Sequence, residues 1–327
     1  MKKVIIRTDA STNIGSGHVM RCLTIAKNLQ KQNINVKFWM KELPGHLINF
    51  VEHEGFETIN SAEKADLYLI DHYNIDEEWE KAHRLFTNKI VVIDDLANRP
   101  HDCDLILDQN SLPNFESRYD GLVPQHCIRL LGPKYLIMRD EFIEARLNLK
   151  ERNNQAERIL VFMGGSDPTE ETIKILKALS KSKSSFEHID IVVGNGNIHK
   201  EEIKHICLKQ GYEYHCQINY MARLMQRADF SIGAGGSTTW ERCYVGLPSS
   251  STIVAENQAF TTIHADDLGA VVNLGWHEKV TVEMYVDLLL KLKNGEVDLN
   301  QLSKIGLSLT KTVSPNPWIE EILELLI

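Results

Sequence analysis

Short apolar stretches alternate with amphipathic segments along most of the chain. In the first half, this pattern predicts six strands, at residues 3–7, 36–40, 66–70, 89–93, 104–107 and 128–131. Apolar residues at helical spacing predict helices near residues 18–30, 45–54, 77–86 and 139–149. Strands rich in Val, Ile and Leu that are separated by helices of this length indicate βαβ units and a mostly parallel sheet.

A polar stretch at residues 150–155 interrupts this alternation and is the best candidate for a linker. A second series follows, with strands predicted at 158–163, 189–193, 212–215, 229–232 and 250–254. Helices are predicted between these strands, and residues 281–327 are predicted to be helical. The 327 residues are long for one core. We therefore expect an α/β protein with two doubly wound, Rossmann-like domains, residues 1–150 and 151–327, which face a central cleft.

Composition narrows the class of protein. The formal net charge of −9 argues against broad binding of nucleic acid or of anionic membranes. No apolar run approaches the roughly 20 residues that are needed to cross a bilayer, and the first residues do not resemble a signal peptide. The six cysteines are scattered without a Cys-x-x-Cys pair, which is typical of reduced cytoplasmic thiols rather than of a zinc site. We expect a cytoplasmic monomer or weak dimer that has no nucleic-acid or membrane partner.

The first candidate site is the turn Gly15-Ser16-Gly17-His18, which follows an apolar strand and precedes an amphipathic helix. Its two glycines allow a sharp bend and the close approach of a ligand, and His18 lies where the helix begins. The turn is a weak dinucleotide fingerprint, because Met20 occupies the third glycine position and because the first strand ends well before Gly15. His18 is the candidate for acid–base chemistry; the alternative is a residue that bonds only the backbone.

Two more glycine-bearing turns follow strands of the second half. The first contains Gly164, Gly165 and Ser166, ahead of residues that fit a helix cap. The second opens a helix with Gly235, Gly236, Ser237 and Thr238, and it lacks the lysine of a P-loop. Free amides and the positive end of a helix can hold a diphosphate without a metal ion. Glu241, one turn further on, is either simply solvated or a partner for ribose hydroxyls.

Three weaker features remain. Asp71-His72-Tyr73 ends a buried strand, at the sheet edge where ligands bind. Asp102-Cys103-Asp104 resembles an Asp-x-Asp metal motif but precedes a strand, so a structural role is favoured. Glu256-Asn257-Gln258 fits either a helix cap or polar contacts to a ligand.

Together these segments resemble a known family. The residues that carry the resemblance are, in chain order, Arg7-Thr8-Asp9, Ile14 to His18 with Arg21, Asp71-His72-Tyr73, Met163 to Asp167, Gly233 to Arg242 and Glu256-Asn257-Gln258. They look like those of the UDP-2,4-diacetamido-2,4,6-trideoxy-β-L-altropyranose hydrolase of pseudaminic acid biosynthesis. Six separate motifs agree, over residues 3–270 approximately, which makes the resemblance specific.

The resemblance implies a GT-B fold similar to that of the murein N-acetylglucosaminyltransferase. It implies hydrolysis of a UDP-sugar at the anomeric C–O bond, without a cofactor, with His18 and Tyr73 as catalytic residues. The hypothesis is an inverting displacement with His18 as general base and no metal ion. The remaining residues are expected to bind substrate: Asp9, Gly15, Gly17, Arg21, Gly164, Gly165, Ser166, Gly235, Gly236, Ser237, Thr238, Glu241 and Asn257.

Three alternatives stay open at this point. A GT-B glycosyltransferase would pass an N-acetylated amino sugar from UDP to an acceptor instead of to water. A hydrolase for the related sugar of the legionaminic acid pathway would carry much the same motifs. A catalytically silent UDP-sugar-binding protein is the third.

Overall fold

The chain folds into two compact units. The computed structural model describes residues 1–12, 14–149, 151–152, 154–182, 186–312 and 314–327. Unit 1 comprises Met1–Met138 and Thr312–Ile327, and unit 2 comprises Arg139–Lys311. Residue 150, the predicted domain boundary, and residue 153 of the predicted linker lie outside the described residues.

Unit 1 is built on a seven-stranded parallel sheet. Its strands are β1 (Lys3–Thr8), β2 (Asn35–Trp39), β3 (Glu57–Ile59), β4 (Ala65–Asp71), β5 (Thr87–Ile93), β6 (Leu105–Asp108) and β7 (Ile128–Leu131). Its helices are α1 (Gly17–Lys31), α2 (Ile48–His53), α3 (Glu77–His83) and, at the end of the chain, α12 (Trp318–Leu325). The strand order is β3-β2-β1-β4-β5-β6-β7. The doubly wound sheet predicted for this half is present.

Unit 2 is built on a six-stranded parallel sheet. Its strands are β8 (Arg158–Phe162), β9 (His188–Val193), β10 (Glu213–Cys216), β11 (Phe230–Ala234), β12 (Ser249–Ile253) and β13 (Val272–Trp276). Its helices are α4 (Asp140–Leu147), α5 (Glu171–Ser182), α6 (Lys200–Gln210), α7 (Met221–Arg227), α8 (Ser237–Tyr244), α9 (Ala259–Asp267), α10 (Val282–Lys293) and α11 (Leu299–Leu309). The strand order is β10-β9-β8-β11-β12-β13. This unit therefore repeats the architecture of unit 1.

Apolar packing shows which helices belong to the core of unit 1. The face of α1 that the sequence predicts to be apolar, which includes Val19, Cys22 and Leu29, is buried in the core of this unit. Trp318 and Ile322 of α12 are fully buried in the same core, so the end of the chain packs with unit 1. The sequence pattern groups this helix with the second half, because an amphipathic period does not show which sheet the apolar face covers.

Each sheet has one position where the strand order reverses direction. In unit 1 this position lies between β1 and β4, whose register pairs Thr8 with Asp71. In unit 2 it lies between β8 and β11, which pair Phe162 with Gly233. Connections leave such a pair of strands in opposite directions, which opens a crevice at their carboxyl ends, where α/β proteins bind ligands. The three glycine-bearing turns of the sequence all follow one of these strands.

Candidate functional site

His18 and Asp71 form a buried pair at the carboxyl ends of β1 and β4. His18 is the second residue of α1 and is 8% exposed, and its Nδ1 lies 2.6 Å from Oδ1 of Asp71, the last residue of β4. An ionised carboxylate can only accept, so Nδ1–H is the donor. A neutral His18 then carries its lone pair on Nε2, which is the form that can accept a proton.

Arg21 neutralises this pair. One turn after His18, its Nε donates to Oδ2 of Asp71 at 2.6 Å and its Nη2 donates to Oδ1 at 2.7 Å. Burial raises the pKa of Asp71, but Arg21 and His18 outweigh it and hold that pKa well below its ordinary value. Nη2 also lies 3.3 Å from Nδ1 of His18. Nη2 of Arg21 and Nδ1 of His18 both carry protons, so Oδ1 of Asp71 accepts a hydrogen bond from each.

Tyr73 packs against His18 from the loop after β4. The two rings meet edge to face, with centroids 4.5 Å apart and planes at 85°. The Tyr73 hydroxyl donates to Oδ2 of Asp95 at 3.3 Å, and Nη1 of Arg21 lies 3.6 Å from the same oxygen. The structure therefore brings together three of the predicted site residues, His18, Arg21 and Tyr73.

Asp9, directly after β1, takes part in a second network. It accepts from Nη2 of Arg7 at 2.7 Å, from the Lys41 amide at 2.7 Å and from Nε2 of His72 at 3.2 Å. Nδ1 of His72 accepts from the Asn74 amide, so a neutral His72 with its proton on Nε2 satisfies both bonds. Burial raises the pKa of Asp9, but His72 and Arg7 together hold it well below its ordinary value.

The first glycine turn needs a glycine at one of its two positions. Gly15 has φ +81°, in the left-handed region, and its amide donates to the Ser11 carbonyl at 2.8 Å. Gly17 is the first residue of α1, has an ordinary φ, and has open space where a Cβ would lie. The open space leaves room for a ligand beside the backbone, ahead of His18.

The second turn follows β8 in unit 2. Gly164 has φ +92°, and the backbone of Gly165 lies so close to Gly194 that a Cβ on Gly194 would be 2.2 Å from the Gly165 carbonyl oxygen. Ser166 is exposed, and Asp167 caps α5 by accepting from the Glu171 and Thr172 amides at 3.0 and 2.9 Å. Asp167 is thus the helix cap that the sequence predicts, and α5 itself begins at Glu171.

The third turn joins β11 to α8. Gly236 has φ +93° and is the N-cap residue, which has no side chain to bond the first amides of α8. A Cβ on Gly235 would lie 2.4 Å from Oγ1 of Thr262 and 3.2 Å from the Gln258 side chain. The turn thus packs against the segment after β12, where the exposed Asn257 lies. The glycine turn and the segment that contains Asn257, which are separate motifs in the sequence, therefore lie side by side in unit 2.

Glu241 is held by an arginine that the sequence analysis did not single out. Nη2 of Arg139, the residue before α4, lies 3.1 Å from Oε1 of Glu241, and Nη1 lies 2.7 Å from Oε1 of Glu141. The Glu241 side chain is 21% exposed, so an ion pair orients it without closing it off. Its predicted contact with a ribose stays a prediction.

The Asp-x-Asp segment of unit 1 is bound to an arginine. Arg84 donates to Asp102 at 2.9 Å and to Asp104 at 2.6 Å. Within the described ranges, no group of three or more His, Cys, Asp or Glu side chains is arranged to hold a metal ion. No helix in those ranges is long and apolar enough to cross a membrane.

The arrangement of two doubly wound parallel sheets defines a protein of the GT-B fold, which confirms the predicted fold class. Solved structures agree. The chain matches the MurG protein of Acinetobacter baumannii with a TM-score of 0.65 at 15% identity, covering 99% of this chain and 100% of that one. It matches UGT89C1 of Arabidopsis thaliana, complexed with UDP, with a TM-score of 0.67 at 13% identity, covering both chains fully. Identities this low show the fold alone.

Sequence relatives define the family more closely, although no family model matches the chain. It is 34% identical to the UDP-2,4-diacetamido-2,4,6-trideoxy-β-L-altropyranose hydrolase of Campylobacter jejuni over 192 residues, 55% of this chain and 67% of that protein. The chain belongs to the family of that hydrolase, as the six motifs predict. It is 27% identical to the spore coat polysaccharide biosynthesis protein SpsG of Bacillus subtilis, covering 86% of each. It is also 27% identical to an uncharacterized protein of Methanocaldococcus jannaschii, of which the match spans 54%.

Proposed function

We propose that this protein hydrolyses the anomeric C–O bond of UDP-2,4-diacetamido-2,4,6-trideoxy-β-L-altropyranose, with inversion, and releases UDP and the free 2,4-diacetamido sugar. The observation that carries the proposal is the His18–Asp71 pair, which leaves Nε2 of His18 as a proton acceptor. The name of the Campylobacter jejuni relative supports the substrate and the reaction.

In this mechanism the water oxygen attacks the anomeric carbon while Nε2 of His18 takes a proton from the water. The C–O bond to the diphosphate breaks, and its electron pair leaves with UDP. Asp71 keeps the proton of His18 on Nδ1 and balances the imidazolium as it forms, and Arg21 fixes the carboxylate. Tyr73, held by Asp95, restricts the His18 ring and offers its hydroxyl to the sugar or to the water.

Unit 2 is proposed to bind the nucleotide. The turns that contain Gly164 and Gly236 present backbone amides, and the α8 N-terminus adds a partial positive charge for the diphosphate. Glu241 and Asn257 are proposed to contact the nucleoside. The same groups stabilise the negative charge that develops on UDP as it leaves, which requires no metal ion.

Replacing His18 with asparagine tests the proposal. We expect UDP release from the diacetamido sugar nucleotide to fall by about 10²- to 10⁴-fold while binding survives, because general base catalysis contributes an effect of this size. His126→Asn, an exposed histidine of the same unit with a side chain 64% accessible, is the control and should leave the rate unchanged. Unchanged release by the His18→Asn protein would contradict the role of His18.

A panel of UDP-2,4-diacetamido sugars, followed by NMR of the product, tests the substrate and the stereochemistry. Formation of the free sugar with inverted anomeric configuration supports hydrolysis as proposed. Preference for the sugar of the legionaminic acid pathway, or turnover only after an acceptor sugar is added, would replace the proposal with one of the alternatives.

A further inference from the structure

The side chain of Arg242 lies beneath the glycine turn that precedes α8 and is completely buried. Its Nη2 donates to the Ala234 carbonyl at 3.1 Å, to Oγ1 of Thr239 at 3.1 Å and to Oγ of Ser251 at 2.9 Å. Nε and Nη1 are also buried, and among the described residues neither has a hydrogen-bond partner. Two of the three guanidinium nitrogens are therefore unused by the protein itself.

Among the described residues, no carboxylate forms an ion pair with Arg242. Burial lowers the pKa of Arg242 to about 10, so the side chain is still protonated at neutral pH. Its acidic chain neighbour Glu241 acts on this charge only from a distance, and its carboxylate pairs with Arg139, which also pairs with Glu141. A buried cation without a counter-charge is unfavourable, and proteins pair such groups with an anion as a rule.

In other arginines with little exposure, the charge or the N–H groups are satisfied by partners within the protein. In unit 1, Arg7 and Arg21 each bond an aspartate at 2.7 Å or closer. In unit 2, Arg152 is 9% exposed, and all three of its nitrogens donate to backbone carbonyls, those of Gly246, Ala228 and Met225. Among these arginines, Arg242 alone has neither a carboxylate nor a complete set of acceptors.

The guanidinium reaches the turn itself. A Cβ on Gly233 would lie 2.3 Å from Nη1 of Arg242, so only glycine permits this approach at the end of β11. Gly236 then begins α8 without a side-chain cap, and Ser237 is exposed. The buried cation and the positive end of α8 therefore act on the same short stretch of backbone.

We propose that Arg242 is a positioning residue whose missing counter-charge is the diphosphate of the bound nucleotide. This inference rests on the proposed function, which locates the nucleotide at this turn. Arg242 does not contact the ligand: it holds the turn through the Ala234 carbonyl, and its charge attracts phosphate through the thin layer of glycine backbone. In a poorly polarisable interior this attraction is much stronger than it would be across water.

Binding of UDP, UMP and uridine to the full chain, measured by calorimetry, separates the charge of Arg242 from a structural role. Arg242→Gln removes the charge and keeps a polar side chain, and Arg242→Lys keeps the charge. For Arg242→Gln we expect UDP affinity to fall by roughly tenfold to a hundredfold, UMP affinity to fall less, and uridine affinity to be unchanged. Arg242→Lys should retain most of the preference for UDP over uridine.

Arg152→Gln is the matched control, because it also removes a buried arginine of unit 2. It should lower the melting temperature without changing the ratio of UDP to uridine affinity. An equal loss of affinity for all three ligands in Arg242→Gln would show that Arg242 only shapes the turn, and would overturn the inference. If that variant does not fold, Arg242→Lys decides: loss of its preference for UDP overturns the inference equally.

The same data distinguish the inference from the proposal on which it rests. A wild-type protein that binds UDP better than uridine, together with an unaltered Arg242→Gln protein, would refute the role of Arg242 alone. A wild-type protein that binds none of the three ligands would refute the nucleotide site, and the role of Arg242 with it.

Discussion

Replacing Asp71 with asparagine tests whether this carboxylate keeps His18 in its proton-accepting form. The asparagine side chain is of similar size, but its amide group can donate to Nδ1 of His18. The ring would then carry its proton on Nε2, which could no longer accept one from water. Arg21 would also lose the two charge-assisted hydrogen bonds, at 2.6 and 2.7 Å, that fix the carboxylate.

The expected magnitude follows from these two losses. Removing general base catalysis lowers kcat by about 10²- to 10⁴-fold, which is roughly 2.7 to 5.4 kcal/mol of activation free energy. Asp71 is fully buried and the Arg21 side chain is 13% exposed. Breaking such a pair costs about 3 to 5 kcal/mol of unfolding free energy, because Arg21 stays behind without its partner. Activity and stability must therefore be measured on the same preparation.

The assay is UDP release, with kcat and KM determined separately and unfolding free energy measured by urea titration. Asp104→Asn is the matched control, because Asp104 is also buried and bonds an arginine, Arg84, at 2.6 Å. The control should lose stability and keep its kcat. The tautomer of His18 is read from ¹⁵N NMR shifts, assigned by comparison with the His18→Asn spectrum.

A double mutant supplies the sharpest refutation. If Asp71 acts only through His18, adding Asp71→Asn to His18→Asn should lower kcat little further, because the two residues act as a unit. Additive losses would show that Asp71 has a separate role. A folded Asp71→Asn protein that keeps its kcat, or in which the His18 proton stays on Nδ1, would refute the reasoning.

Three other predictions follow from single features of the structure. Burial raises the pKa of Asp108 from 3.8 to about 6, so this carboxyl stabilises the fold below pH 4 and loses about 3 kcal/mol of that effect as the pH rises through 6. Asp108→Asn should remove this component from urea titrations between pH 4 and 7; an unaltered slope would contradict it. Gly15→Ala should cost about 1 to 2 kcal/mol in such titrations because φ is +81°, whereas Gly17→Ala, with ordinary φ and open space, should be nearly neutral. Excess chelator should leave UDP release unchanged, and activity restored by Mg²⁺ would refute the metal-free mechanism.

Most central strands could be predicted from the sequence, because they are buried on both faces and are read as apolar runs. β12, Ser249–Ile253, is also fully buried, although it begins with three serines. Two edge strands could not be predicted. β3, Glu57–Ile59, is three residues long, and β13, Val272–Trp276, is only half-buried and contains a glycine with φ +99°. An edge strand packs fewer neighbours, so its sequence is under weaker apolar constraint.

The sequence predicts those site residues whose type is required by local backbone geometry. It does not predict which distant side chain pairs with them, because the folded sheet determines that pairing. Gly15 and Gly236 are visible because a positive φ favours glycine. The partner of His18 lies 53 residues away, and it is selected by the β1–β4 register that sets Asp71 beside Thr8. A carboxylate at the end of a buried strand was the only signal for Asp71. The pairing of Arg139 with Glu241, 102 residues apart, had no such signal.

The distribution of buried charge supports the division of labour proposed for the two units. Beside His18, the carboxylates of Asp71 and Asp95 share the guanidinium group of Arg21. A diphosphate would be repelled there, whereas an uncharged sugar and a water molecule would not, and a balanced carboxylate is what a histidine base requires.

Unit 2 shows the opposite balance at its turn before α8. Among the described residues Arg242 bonds no carboxylate, and Glu241 shares the guanidinium group of Arg139 with Glu141. A buried cation without an ion-pair partner increases the affinity of a site for two phosphate groups, and such a site does not need a fixed proton acceptor. This difference agrees with the proposed division, in which the nucleotide binds beside Arg242 and His18 transfers the proton.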